Sequence, residues 1–584
     1  MSFNTRISGR TAVAILFLLF TWAGHLENIL GENARTSAVQ LFFNGKVFTA
    51  EPKKPYAEAV VVRGDKIVAV GALQEAEAAA GSNSEKIDLQ GRTLLPGFVD
   101  THNHAVQGGG TLNAANVPDG LITVPDLAKF VAEVRRSGRG MNGPILRVTG
   151  IPLEFWLKPE ELEKVFSSGS YEALPIYLYG MDYHTGWANR SLRSRVGLTK
   201  EFISGLTDDE RKHYGLGSDL EPNGFAVDAG LSRIEGEIPK PTREQLLRDG
   251  QSAVKYLNSL GITAWMDPYS EAPILGAYRD LAQLGELTAH VAALPPVRFP
   301  PPAVKAEFDP FIGFDELRKE FTGITNLTIP GLKVFADGVA EYPSQTAAMS
   351  SPYQNSGKSG DLLIDPKRFA DLCIAADRRG LIVHVHAIGD RAVTEALNGF
   401  ATARKANGTG GPRHIVTHLQ FVQPSDFNRF GELGVIASVQ LYWASAGNDA
   451  IDKLKPYLDP GIFKWQYPVR SILHAGATLA GASDWPVTTP NVFHAIYQAE
   501  TRRGPQGVLD AEQRMPREAM LYAYTRNAAL ALGQLDQIGS IAPGKQADLV
   551  LLDRDILTVT AEELKETQVV WTKFGGKTVF ASGR

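Results

Sequence analysis

The sequence predicts an α/β fold, a closed (β/α)8 TIM-type barrel, with a smaller β-rich domain drawn from both chain ends. Short apolar runs alternate with helical patterns through the middle of the chain, about eight of those runs read as strands, and both ends are β-rich. Such alternation marks a parallel sheet, and eight strands suit a closed ring. A doubly wound open sheet fits the same alternation, and the pattern alone leaves it open.

At the N-terminal end, 39–50 reads as two short strands around Asn44-Gly45, a dipeptide that supplies the positive φ angles of a tight hairpin. A second pair, 59–62 and 66–70, follows, and 73–80 reads as a short helix. At the C-terminal end, 548–553 is one apolar strand, and 569–571 and 578–580 flank Gly575-Gly576. Between these ends, strands are expected at 93–100, 176–179, 263–267, 331–336, 382–386, 415–418, 435–439 and 478–481. Helices are expected at 243–260, 366–379, 391–406 and 516–531. The stretch 154–231 exceeds what barrel units need and reads as an insertion. The expected layout is therefore a leader over 1–35, the first part of the β domain over 36–94, the barrel over 95–535 and the second part of the β domain over 536–584.

Composition narrows the functional classes. The chain has 584 residues, 44% hydrophobic and 21% charged, with a formal net charge of -5. That is a globular balance, and no lysine or arginine run offers the clustered basic face that nucleic acid requires. The single cysteine, Cys373, excludes an intramolecular disulfide and a thiolate-rich zinc site, and its apolar surroundings read as a buried inert thiol. Arg6 and Arg10 precede an apolar run over 12–20, then Thr21-Trp22-Ala23-Gly24. This resembles a secretory signal peptide and implies a secreted or periplasmic protein; an uncleaved anchor is the alternative. The run is short for a stable membrane span. The sequence leaves oligomeric state open, homo-oligomers included.

The chemistry sits at strand ends, where catalytic groups of such barrels cluster. Strand 93–100 runs into His102-Asn103-His104, and residues two apart on extended backbone point the same way, which suits two ligands of one cation. Lys333 lies inside an apolar run, a costly position unless the amine is paired or converted to a carbamate. His384 and His386 share a face; His386 is nearer the strand end and is the expected ligand, whereas His384 suits the core. His418 ends a strand that His414 begins, so His414 belongs at the opposite end. Asp484 ends the last strand. Any one of these is commonly structural. Together they offer imidazole and carboxylate to a divalent cation, zinc first, with iron or manganese as rivals and one or two ions accommodated.

The order of these groups resembles the amidohydrolase superfamily, and the details resemble its YtcJ-like branch, amidohydrolase family 3, which is N-substituted formamide deformylase-like. The matching stretches are Leu-Pro-Gly-Phe-Val-Asp-Thr-His-Asn-His at 95–104, Lys-Val-Phe-Ala-Asp-Gly at 333–338, His-Ala-Ile-Gly-Asp-Arg-Ala at 386–392, Ala-Ser-Asp-Trp-Pro-Val at 482–487 and Gly-Ser-Ile-Ala-Pro-Gly-Lys-Gln-Ala-Asp-Leu at 539–549. The resemblance implies a β-sandwich built from both termini. It also implies a metal site of His102, His104, Lys333, His386, His418 and Asp484, with Lys333 carbamylated and Asp484 as general base and acid. The motif from Asp182 to Asn189 resembles the branch's substrate-side insertion and brings His184 as a candidate for holding a carbonyl. The implied activity is hydrolysis of carbon-nitrogen bonds other than peptide bonds, in small amide-like, N-acyl or N-formyl compounds. A lactonase, a deaminase or a turnover-deficient metal binder on the same scaffold are the alternatives. Thr417, His290 and Leu441 depart from the residues common in the branch, and these departures bear on the substrate pocket.

Overall fold

The structure, a computed structural model, describes residues 39–583 apart from 119, 122 and 300–308; the leader expected over 1–35 lies outside them. Eight parallel strands form the centre: β1 (Phe98–Asp100), β2 (Ile262–Asp267), β3 (His290–Ala293), β4 (Gly331–Phe335), β5 (Ile382–Ala387), β6 (Ile415–His418), β7 (Ile436–Val439) and β8 (Thr478–Gly481). Strands β1 to β3 belong to one sheet and β4 to β8 to another. Hydrogen bonds cross both gaps between them. Beyond β3 the chain pairs Pro296 with Lys333 of β4, and Thr101 N donates to Gly481 O at 3.0 Å, tying β1 to β8. The strands are continuous apolar runs because helices cover their outer faces. Arg243–Ser259, Pro366–Arg378 and Asp390–Asn407 lie close to the expected ranges, the first opened by a capping box on Thr242 and Gln245. The helix expected over 516–531 is instead two, Arg517–Ala523 and Arg526–Ala531, because Thr525 takes non-helical angles between them.

Two of the expected strands are corrected. The run 176–179 forms a strand, Ile176–Gly180, but in a separate sheet that begins at Met141, so the inserted layer starts earlier than 154. Its place among the eight belongs to β3, whose four residues are bounded by Pro295-Pro296 and offer little periodicity to read. The run 93–100 is two strands meeting at Gly97. Thr93–Pro96 joins a terminal sheet and β1 joins the central one. A Cβ at Gly97 would stand 2.1 Å from Thr263 Oγ1, so only glycine lets the chain cross there.

The ends pair as expected in outline. Leu549–Leu552 runs antiparallel to Thr93–Pro96 in a six-stranded sheet assembled from both termini. A second sheet of four strands shares with it a core including Phe42, Val60, Leu94 and Leu549. The Asn44-Gly45 turn exists, with Asn44 at φ 58°, yet its strands do not pair with each other. Val39–Phe43 pairs with Ala59–Arg63, whereas Lys46–Phe48 pairs with Thr93–Pro96, so the turn is a corner between sheets. Among the described residues no helix is long and apolar enough to cross a membrane. Cys373 is buried.

Candidate metal centre and substrate cavity

At the end of β1 the chain bends so that His102 and His104 both face Asp484. Nε2 of His102 lies 3.4 Å and Nε2 of His104 3.3 Å from Asp484 Oδ1. From β6, His418 Nδ1 stands 3.9 Å from Asp484 Oδ2. Donor atoms of His102, His418 and Asp484 all fall within 4.8 Å of one another and are buried. His418 and Asp484 hold φ angles of 76° and 57°, a region that costs an L-residue free energy and that clusters at functional sites.

Asp100, on β1, fixes this approach. Its Oδ2 accepts from Ser483 Oγ at 2.6 Å and Asn103 Nδ2 at 2.9 Å, and its Oδ1 from Ser483 N at 3.0 Å. The carboxylate thereby staples the His-x-His segment to the segment carrying Asp484. Burial pushes Asp100 up to about 6, against those hydrogen bonds. Sequence reasoning passed over it because an aspartate one residue before Thr-His reads as part of the strand.

The remaining imidazoles are held individually. His102 Nδ1 lies 2.9 Å from His384 Nε2, so the residue expected in the core touches a ligand candidate directly. His418 Nδ1 donates to Gln440 Oε1 at 3.2 Å, and its ring stacks on Trp443. The segment 440–443, which carries the departure at Leu441, thus supports an imidazole through Gln440 and Trp443. His386 Nε2 donates to Gly338 O at 3.0 Å; its ring lies 4.5 Å from that of His418, but its nitrogens fall outside the tight donor group. Burial, and then the Lys333 cation, hold His102, His384 and His386 well below the ordinary imidazole range; for His418, burial comes first, then His386 and Lys333. Neutral imidazoles keep the lone pairs that a metal takes.

Lys333 is buried in the same cluster, opposite His384 in the sheet register, and forms no ion pair among the described residues. Burial drops its amine to about 7, with Asp484 acting the other way. An amine so easily deprotonated is a competent nucleophile toward CO2. Asp337, unmarked in the sequence, is buried at the end of β4 and accepts from Ile388 N and Ala348 N at 3.0 Å and Gly389 N at 2.8 Å; burial pushes it up to about 7.

Two other histidines are structural. His414 accepts from Val383 N, faces Asp377 at 3.3 Å and stacks on Phe400, at the opposite end of β6 from His418. His290 begins β3 and pairs with Asp548 at 2.9 Å, so it joins the central strands to the terminal sheet. It therefore does not shape the substrate pocket.

Beside the donor group lies a cavity of about 280 Å³, lined by His386, His418 and Asp484 and by loops that include the inserted layer. His184 lines it, with its ring 5.6 Å from that of His386. His184 Nδ1 sits 2.7 Å from Asp228 Oδ1. Burial opposes a charge on this imidazole, yet the hydrogen bond and charge of Asp228 prevail and raise it to about 9. Asp228, which lies well beyond the 182–189 motif in the chain, reaches the site across Gly338. A Cβ on Gly338 would lie 2.1 Å from Thr346 Oγ1 and 2.8 Å from Asp228 Oδ2.

Buried neutral imidazoles, a carboxylate and a buried His104 Nδ1 without a hydrogen-bond partner make a donor set that fits a divalent cation. Known proteins are similar to this chain over most of its length. The protein LONG AFTER FAR-RED 3 of Arabidopsis thaliana is 27% identical, over 92% of this chain and 91% of its own. The N-substituted formamide deformylase of Arthrobacter pascens is 24% identical, over 92% and 97%. In fold, an uncharacterized metal-dependent hydrolase from Pyrococcus horikoshii OT3 superposes with a TM-score of 0.69 at 23% identity, covering 90% of this chain and 99% of that one. The amidohydrolase family pattern matches residues 85–580, nearly the whole described chain and every group placed above, and this chain belongs to that family as a metal-dependent amidohydrolase.

Proposed function

We propose that this protein hydrolyses the carbon-nitrogen bond of small amide-like molecules, N-formyl or N-acyl compounds, with a divalent cation, zinc first, at the mouth of a closed eight-stranded barrel. The observation that carries the reading is the convergence of three imidazoles on one carboxylate at the wall of a cavity. The hydrogen bonds that bridge both sheet gaps support closure, and the shared core of the terminal sheets supports a sandwich. His102, His104, His418 and Asp484 would hold one cation, and Lys333 as a carbamate with His386 would extend the site toward a second. When bound, the cation supplies Lewis acidity and lowers the pKa of a water.

The chain's own residues do the rest. Asp484 takes the proton of the attacking water as its oxygen bonds to the carbonyl carbon, then delivers that proton to the nitrogen as the carbon-nitrogen bond breaks. His184, charged and held by Asp228, donates to the carbonyl oxygen and stabilises the negative charge that develops there. The activity named for the Arthrobacter relative supports the formamide branch of this reading.

The test is metal quantitation on protein purified without chelator, coupled to a screen of N-formyl and N-acyl compounds with analysis for amine, ammonia and carboxylate. Stoichiometric metal with released amine is expected. Ammonia alone would turn the reading to a deaminase, and turnover of lactones only would turn it to a lactonase. The basic flank and apolar run before residue 21 support export. A secreted or periplasmic chain whose N-terminal mass lacks that run is expected, and full-length mass on a membrane would mean an anchor.

A further inference from the structure

The cavity beside the donor group has a second wall that hydrolysis does not use. Resting on the hydrolase reading of the site, we propose that this wall receives a protonated amino group, so that the substrate is an acylated amine carrying a second, cationic amine rather than an acylated amino acid. Asp182 and Glu341 line the cavity, and no lysine or arginine does so among the described residues. Aromatic rings of Tyr442, Trp443 and Tyr467 line it as well, giving π faces that attract ammonium groups.

Neither carboxylate forms an ion pair with a lysine or arginine among the described residues. Asp182 Oδ1 accepts from His184 N and Thr185 N, both at 3.1 Å, and from Thr185 Oγ1 at 2.7 Å, whereas its Oδ2 is buried with no partner. Glu341 Oε1 accepts from the neutral amide of Gln420 at 2.7 Å. Lys453 is paired with other acids: its Nζ lies 2.7 Å from Asp449, which also lines the cavity, and 3.5 Å from Glu154. His184, the cationic group lining the cavity, has its Nδ1 paired with Asp228. A carboxylate placed against this wall would therefore meet like charge, in a space where water screens weakly. An ammonium ligand would meet the carboxylates of Asp182 and Glu341. Burial raises both Asp182 and Glu341 above the ordinary carboxylate range, with His184 acting the other way on Asp182 and Gln420 on Glu341.

The placement has a topological reason. Glu341 follows β4, Gln420 follows β6, Trp443 follows β7 and Asp182 comes from the inserted layer, so four separate loops build the wall while strand ends build the metal centre. The wall can set the preferred substrate without disturbing the chemistry.

Three probes share one scissile group: N-(para-aminomethylbenzyl)formamide, its para-methyl analogue and its para-carboxy analogue. Dissociation constants are measured by calorimetry on the metal-loaded Asp484→Asn protein, and KM on the wild type. The cationic probe should bind about tenfold tighter than the methyl probe, and the carboxylate weaker than both, a tenfold step being about 1.4 kcal/mol. In Glu341→Gln the ratio of cationic to methyl affinity should fall by several-fold, and Glu341→Lys should reverse the order of cation and carboxylate. Each ratio is taken within one protein, so a general loss of affinity cancels. Equal or tighter binding of the carboxylate, a ratio unmoved by Glu341→Gln, or no binding of any probe would overturn the inference. Binding in the expected order without turnover by the wild type would leave it standing and sink the hydrolase reading instead.

Discussion

His384→Phe separates metal holding from fold stability. In the native site His102 Nδ1 is 2.9 Å from His384 Nε2, and His384 Nδ1 is buried with no partner. If His102 Nε2 is to remain a lone pair for the cation, its proton must sit on Nδ1 and be donated to His384. His384 then carries its own proton on Nδ1, where nothing accepts it. Phenylalanine keeps the ring volume and removes both nitrogens. One buried donor, on His102, loses its acceptor at about 1–3 kcal/mol, and one orphaned donor, on His384, disappears with a gain of the same size. The metal-free melting temperature should therefore barely move. The cation keeps His102 but the partner that fixed its tautomer is gone, and such outer partners are worth about 10- to 100-fold in affinity. Competition against a chromogenic zinc chelator measures this directly, beside a melting curve of the metal-free protein. Zinc affinity within twofold of wild type would refute the argument, as would a large fall in metal-free stability with affinity unchanged.

Asp484→Asn should lower kcat by about 10²- to 10⁴-fold, the usual worth of a positioned acid-base group, while metal analysis still finds bound cation; near-normal turnover would remove Asp484 from proton transfer. The His184–Asp228 pair sets a pH dependence. His184 rises from 6.5 to about 9 on folding, so its contribution, about 3 kcal/mol at most, is complete below 6.5 and is lost as pH rises through 9. Activity should fall over that alkaline window, and Asp228→Asn should move the fall to lower pH; a pH-rate profile reads both. Gly97→Ala should destabilise the fold by about 1–3 kcal/mol in denaturant unfolding, because the new Cβ would overlap Thr263 Oγ1 at 2.1 Å.

The parts that were legible in the sequence share one property: local pattern and tertiary environment agree. β5 and β6 are largely apolar runs with a histidine at the last position or one before it, and both form where expected. β3 escaped notice because four residues starting with histidine and running into two prolines resemble a loop until neighbours pair with them. The Asn44-Gly45 turn shows the reverse error, correct turn chemistry whose flanking strands are claimed by different sheets. At the site, spacing pointed to His102, His104, His418 and Asp484. It could not point to Asp100, Asp228 or Asp337, since each acts by pairing across long sequence separations: Asp100 with Ser483, Asp228 with His184, Asp337 with Ile388.

Asp100 and Asp337 also explain how short strand ends hold their donors in place. An isolated His-x-His after a three-residue strand has little reason to stay fixed, since the cost of ordering it is about 1–2 kcal/mol per residue of backbone. Asp100 replaces that freedom with four hydrogen bonds, two within the His-x-His segment from His102 N and Asn103 Nδ2 and two from Ser483 that join the first strand end to the last. Asp337 does the same between β4 and β5, with three backbone donors. Each carboxylate is buried and pushed upward, to about 6 and about 7, so each costs free energy to keep ionised. A fold seeking stability alone would place apolar residues there. Their retention at the mouth, where the metal donors and the cavity meet, marks positioning as their role, and it predicts that Asp337→Asn disturbs the placement of His386 before it disturbs the barrel.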